Sequence, residues 1–229
     1  QKVHPIKDIQ FEAEVCDLDG RGIDQDGNIN HDAVSDRLNE FLRPFDLGHA
    51  PLMRVGFIRL DDTRLLFMMD THHIVSDGIS QAIFIRDYIS FYNGVQLEPL
   101  RIHYKDYAES SNRPEQLEKM QMQEEYWLKR MSGHLPLLNM PVDFERPATQ
   151  TFEGKPHGFM VEDGNTLKMK RLAADHDATL FIVLLAVYNV FLARLTGQDD
   201  IIVGASLAGR RHPDLDNIIG MFINALAIR

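Results

Sequence analysis

The stretch MMDTHHIVSDGIS, residues 68–80, sets His72 beside His73, with Asp77 four positions after the second histidine and Gly78 directly behind it. An imidazole near neutral pH can ligate a metal or accept and return a proton. His73 and Asp77 have the i, i+4 spacing of two ligands on one helical face. No third ligand stands at a recognisable spacing, however, and there is no H-E-x-x-H. His73 also ends an apolar run that reads as a strand, ahead of the residue that would open a helix. The spacing therefore argues for a site without a metal. Along a strand, successive side chains point to opposite faces. Only one of His72 and His73 can then enter a given cavity unless the strand breaks between them, and spacing alone does not say which. Two packed histidines at a strand end are the plain alternative.

A second polar cluster, DGRGIDQDGNINHD, has the look of a calcium loop. With Gly27 at the sharp turn, the first ligand position is Gly22 and the twelfth is Ala33, so both end carboxylates are missing. A solvated acidic turn is the better reading. Cys16 lies in an expected strand beside this acidic loop, where a thiolate is disfavoured, so it is not read as a nucleophile.

The elements that must carry the histidines follow from periodicity. IQFEAEVCDL reads as a strand. HDAVSDRLNEFLRP has helical apolar spacing and stops before Pro44. PLMRVGFIRL and TRLLFMMDTHH read as a hairpin, turning at Asp61, Asp62 and Thr63. SDGISQAIFIRDYISFYNG reads as a helix capped by Ser76 or Asp77 and closed by Gly94. PEQLEKMQMQEEYWLKRMSG is a long amphipathic helix ending at Gly133. Residues 134–154, with three prolines, read as an extended crossover and the best boundary between lobes. GFMVED reads as a strand, GNTLKMKRLAADHDAT as a helix and loop, and TLFIVLLAVYNVFLA as a buried helix too short for a bilayer. DDIIVGASLAGR and IIGMFINALAIR read as strands. Strands with interspersed helices make the fold class α/β (α+β).

The 229 residues suffice for one large domain or two small ones. Apolar residues make up 44% and charged residues 25%, ordinary for a globular protein. A net charge of −10 argues against nucleic acid and, more weakly, against anionic membrane surfaces. A single cysteine forbids an internal disulfide and suits a cytoplasmic location. The first residues have no apolar core of a signal peptide.

HHIVSDG matches H-H-x-x-x-D-G, the signature of the acyltransferase superfamily that includes chloramphenicol acetyltransferase and the condensation domains of nonribosomal peptide synthetases. FLRPFDLGHAPLMRV (41–55), LRIHYKDYAES (100–110), EEYWLKRMSGHLPLLNMPVDFERP (124–147) and ARLTGQDDIIVGASLAGRRHPDLDNIIGMFINALAIR (193–229) each resemble condensation-domain segments, in the family's order. The chain thus resembles the middle half of such a domain, with two motifs expected upstream of Gln1 and two beyond Arg229. Ala225 stands where the family usually has Thr.

The resemblance implies a chloramphenicol-acetyltransferase-like two-lobe sandwich, with residues 1–133 ending the N-terminal lobe and 134–229 forming the crossover and the start of the C-terminal lobe. It implies an amide-bond-forming acyltransferase of antibiotic-type peptide biosynthesis. Both substrates ride on phosphopantetheine arms of upstream and downstream peptidyl carrier domains, beside an adenylation domain, and no cofactor or metal is bound directly. His73 is the residue it places in the tunnel, as base or as positioning group. His72 packs, Asp77 forms an ion pair, and Gly78 lets a ligand approach the backbone at a helix N-terminus. Asn224 is a tunnel or second-lobe candidate. The arginine paired with Asp77 is expected upstream of Gln1, with Arg43, Arg54 and Arg86 as substitutes. A CoA-dependent acyltransferase, an epimerization-type domain, a catalytically silent carrier-binding module and an inactive structural half are the rival readings.

Overall fold

The first three strands form one sheet, and its hairpin delivers the histidines. The computed structural model describes residues 2–151 and 153–229. Strand β1 (Glu14–Asp17) pairs in parallel with β2 (Met53–Arg59). Helix α1 (His31–Phe41) lies between them in sequence, and its cap residue Asn30 accepts the Ala33 N–H, worth about 1 kcal/mol. Strand β3 (Leu65–Thr71) returns antiparallel to β2. The hairpin turn is held by Asp61 Oδ1, which accepts from the N–H groups of Thr63 and Arg64 at 2.8 Å each. Under this sheet Leu18, Phe41, Ile58, Leu60 and Met68 form a buried cluster.

Helix α2 (Gly78–Tyr92) follows β3. It is anchored by Tyr88, whose ring stacks on Phe67 of β3 at 4.5 Å between centroids. Gly94, at φ +73°, ends it as the sequence implied. Helix α3 spans Tyr104–Ser111, and α4 spans Pro114–Arg130 with proline in its first turn.

Beyond α4 come the irregular crossover, α5 (Asp163–Asp175), α6 (Leu180–Thr196), β4 (Val203–Leu207) and β5 (Asn224–Ile228), the last two paired in a second sheet. The strand expected in GFMVED does not form. Residues 158–162 are irregular and Asp163 already opens α5. A strand needs a partner for its N–H and C=O groups, and among the described residues the second sheet contains β4 and β5 alone. The helix expected at 179–193 is present as α6, but its burial is corrected. Val183 and Leu192 are buried, while Phe181, Val187, Val190 and Phe191 are each more than half exposed. A helix apolar on all sides carries more apolar surface than the neighbouring α5 covers.

Contacts divide the chain into two units. One contains Gln1–Leu117 with Leu207–Asn224, and the other contains Glu118–Ser206 with Ala225–Arg229. The first holds both histidines and a second buried cluster, Leu215, Ile218 and Phe222, packed against Ile102, Tyr104 and Tyr107. No single helix among the described residues is long and apolar enough to cross a membrane.

Candidate active site

The β3 ladder stops at the histidines. His72 N–H donates to Leu52 O at 3.0 Å as the last strand-like bond. His72 then caps a single 3-10 turn, His73–Val75, by accepting the Ile74 N–H on its Nδ1 at 3.1 Å. The strand therefore breaks between the two residues, and the alternation rule no longer ties their directions together. Nδ1 of His72 is an acceptor, which puts the ring proton on Nε2. The His72 ring is half-buried and meets Phe45 edge-on, with centroids 6.1 Å apart at 89°. His73 is exposed and its imidazole makes no hydrogen bond among the described residues. Of the two, His73 is the ring that the fold leaves exposed.

Asp77 closes the turn from the other side. It is the α2 cap, and it is 3% exposed. Oδ1 accepts from Ser80 N–H at 2.8 Å, Ser80 Oγ–H at 2.7 Å and Arg210 Nη2 at 3.1 Å. Oδ2 accepts from the Phe222 N–H at 3.1 Å. Burial alone would raise the Asp77 pKa. The hydrogen bonds from Ser80, Phe222 and Arg210 outweigh it and hold the carboxyl below its ordinary value.

The arginine expected upstream of Gln1 is thus Arg210, 133 residues downstream of Asp77. The pair is buried, with side chains 4% and 3% exposed. The three substitutes are engaged elsewhere: Arg43 with Glu14, Arg54 with Asp70, and Arg86 with Asp87 and Asn217. Arg210 Nη1 also donates to the carbonyls of Leu215 and Ile218 at 2.6 and 2.7 Å, and its guanidinium lies 4.0 Å from the Phe222 ring centroid. Its Nε is buried without a partner among the described residues. Gly209, at φ +71°, precedes it, and a Cβ there would sit 2.0 Å from Phe222 O.

Sequence reasoning passed over Ser80, and met Tyr104 only within the LRIHYKDYAES resemblance, without a role. Ser80 is fully buried, and its hydroxyl accepts the Gly220 N–H at 3.0 Å while lying 2.8 Å from Gly220 O. Tyr104 O–H donates to Met221 O at 2.8 Å. The available signal was a small polar residue inside an apolar helix face, three positions after a candidate cap. These contacts bind segment 209–222 to the first turn of α2. Asn224 opens β5, two residues beyond the Phe222 held by Asp77. A Cβ added to Gly78 would meet nothing within 4 Å, so no neighbour within the fold demands glycine there.

A shallow cleft of about 410 Å³ lies beside the histidines, lined by Arg43, Phe45, Asp70, Thr71, His72 and His73. A wider one of about 1040 Å³ runs between α2, α3 and residues 213–220, and includes neither histidine. Among the described residues no three His, Cys, Asp or Glu side chains converge as a metal site.

A hairpin that delivers a histidine turn, braced by a buried Asp–Arg pair at the head of a helix, belongs to the chloramphenicol-acetyltransferase-like fold. The four-domain nonribosomal peptide synthetase AB3403, bound to AMP and glycine, superposes with a TM-score of 0.75 at 23% identity, over 96% of this chain and 16% of that one. The condensation domain from the monacolin K polyketide synthase MokA superposes with a TM-score of 0.71 at 21% identity, over 95% of this chain and 49% of that one. The family model described as Condensation domain matches residues 1–229, and the chain belongs to that family. Surfactin synthase subunit 1 of Bacillus subtilis (strain 168) is 47% identical over 192 residues, 84% of this chain and 5% of that protein. Tyrocidine synthase 3 of Brevibacillus parabrevis is 45% identical over 192 residues, 84% of this chain and 3% of that protein. The chain therefore spans about half of the MokA condensation domain and a twentieth or less of those two synthases.

Proposed function

We propose that this chain forms part of a domain that makes a peptide bond between two carrier-bound substrates. The donor is an acyl or peptidyl thioester on the phosphopantetheine arm of an upstream peptidyl carrier domain. The acceptor is an aminoacyl group held the same way downstream, loaded by an adjacent adenylation domain. Membership of the condensation-domain family supports the reaction class. The carrier arms are the substrates' handles, so the chain needs no cofactor of its own, and a cytoplasmic location suits its single cysteine.

The acceptor nitrogen attacks the thioester carbonyl, the C–N bond forms, the C–S bond breaks, and the amine proton passes by way of His73 to the departing thiolate, which leaves as the thiol. A free α-amine has a pKa of about 7.7–8.0, so a sizeable part is neutral near pH 7 without help. The thioester is already activated. His73 accepts a hydrogen bond from the amine, which aims it at the carbonyl, and takes up its proton as the bond forms. His72 holds the turn, Asp77 anchors its far end, and the α2 N-terminus at Gly78 favours the developing oxyanion. Asn224 lines the approach from the second lobe. The lobes divide at residues 133 and 134.

The observation that carries this reading is the pairing of an exposed His73 with two fixed neighbours, the His72 cap and the buried Asp77. Mass spectrometry of dipeptidyl transfer tests it, using the full-length protein with both carriers loaded and comparing wild type with His73→Ala. Transfer should collapse while the melting temperature holds. Transfer that persists removes His73 from the chemistry. A wild type that transfers nothing although its carriers are loaded moves the carrier-binding-module reading to the front.

A further inference from the structure

Besides its bond to the Ile74 N–H, the His72 ring meets a neighbouring aromatic side chain, Phe45, at right angles. Arg54 and Asp70 are cross-strand neighbours in the β2–β3 register, and their side chains lie 3.6 Å apart and largely buried. The guanidinium reaches out of the strand and ties down the segment after α1. Nη1 donates to Arg43 O at 2.8 Å and Phe41 O at 3.2 Å, and the group lies 3.8 Å from the centroid of the Phe45 ring. Phe45 in turn meets the His72 ring at right angles. A half-buried aromatic thus contacts both a cation and an imidazole, each in a favourable geometry.

The arrangement has a mechanical consequence. Backbone bonds from Val75 N–H to His72 O and from Ser76 N–H to His73 O close the 3-10 turn, and the His72 side chain adds its cap only while its Nδ1 faces the Ile74 N–H. A half-buried imidazole with one backbone bond can flip by rotation about χ2, which exchanges ring nitrogen and carbon and breaks the cap. Phe45 packs against the ring that would have to turn. Arg54 holds Phe45 in place through bonds to the backbone that carries it.

We infer that Arg54 and Phe45 are positioning residues for the transfer reaction: through the edge of His72 they hold the turn that presents His73. This rests on the role proposed for His73. Neither residue touches the reacting atoms in this scheme, so both act through the turn and on the chemical step rather than on substrate binding.

The test is steady-state and single-turnover dipeptidyl transfer by the full-length protein with loaded carriers, for Phe45→Leu, Phe45→Tyr, Arg54→Met and His73→Ala, and for Phe45→Leu combined with His73→Ala. Misplacing a catalytic group slightly lowers kcat by about tenfold or more. Phe45→Leu and Arg54→Met should show that loss with an unchanged KM for the acceptor carrier. Phe45→Tyr, which keeps the ring, should restore the rate. In the His73→Ala background Phe45→Leu should cost nothing further, because its effect passes through His73. A loss confined to KM, a Phe45→Tyr that rescues nothing, or a full additional loss in the double variant overturns the inference. An unaffected Phe45→Leu beside an inactive His73→Ala overturns it alone. An active His73→Ala overturns the functional reading and this one with it. If Phe45→Leu lowers the melting temperature enough to confuse the rate, Arg54→Met and the ring-retaining Phe45→Tyr decide.

Discussion

Arg210 Nη2 lies 3.1 Å from Asp77 Oδ1, joining two residues 133 positions apart in a pocket closed to solvent. Taking two charges out of water costs several kcal/mol per ion, and this is offset by partners for both groups, with Arg210 Nε the one buried donor left without one among the described residues. Asp77 is satisfied by Ser80 and Phe222, and Arg210 by the carbonyls of Leu215 and Ile218. Removing one partner leaves the other buried and charged. Arg210→Met should therefore destabilise the fold by about 3–5 kcal/mol. Urea unfolding at neutral pH checks this, and combining it with Asp77→Asn should recover part of the loss.

The same pair sets an acid limit. Asp77 is held below its ordinary pKa in the fold. A depressed carboxyl contributes stability above its unfolded value, about 3.9, and loses it as pH falls through the lower folded value. In that window the unfolded chain binds more protons, so stability rises with pH. Melting temperature measured from neutral pH down through the carboxylate range should fall, and Asp77→Asn should flatten the part of that slope owed to this group.

What was legible beforehand was local. The hairpin turn at Asp61–Thr63, the helix cap at Ser76 or Asp77 and the Gly94 stop are each decided within a few residues; the turn and the stop form as read, and the cap falls to Asp77. The partner of Asp77 was not legible, because nothing near position 77 distinguishes Arg210 from Arg43, Arg54 or Arg86, all of which carry the same charge. Ser80 was missed because a lone serine in a helix looks like a solvent-facing residue until its burial is known. The GFMVED stretch has strand composition but no strand beside it among the described residues, and pairing rather than composition decides.

Gly220 lies against the Tyr104 ring so closely that a Cβ would fall 2.1 Å from Cδ2. The ring is fixed by its hydrogen bond to Met221 O and its edge contact with Phe222. Gly220→Ala should cost about 1–3 kcal/mol, as overpacking does. A Tyr104→Leu background should lessen the penalty. Differential scanning calorimetry of the four proteins in that cycle reads the coupling.

Ser80 serves Asp77, Arg210 and Gly220 with one hydroxyl. Ser80→Ala leaves the Gly220 N–H without its acceptor in a buried position. The cost should be about 1–3 kcal/mol. Loss of this link should also raise hydrogen exchange at Gly220 and Phe222 more than in the β2–β3 hairpin, which it does not touch.

The two adjacent histidines should separate by experiment into different kinds of residue. His72 donates its backbone N–H to Leu52, caps the turn through Nδ1 and packs against Phe45. His72→Ala removes the cap and the aromatic contact together, and should cost about 1 kcal/mol or somewhat more. His72→Asn keeps a side-chain oxygen able to accept the Ile74 N–H, and should recover the cap but not the contact with Phe45. His73 makes no side-chain bond among the described residues and is exposed. His73→Ala should leave urea unfolding unchanged and reduce dipeptidyl transfer to a small residual rate. The expected signature is a stability loss for His72 graded by cap and contact, and an activity loss at constant stability for His73. If His73→Ala unfolds as readily as His72→Ala, the second histidine also supports the fold, and its loss of transfer says nothing about chemistry.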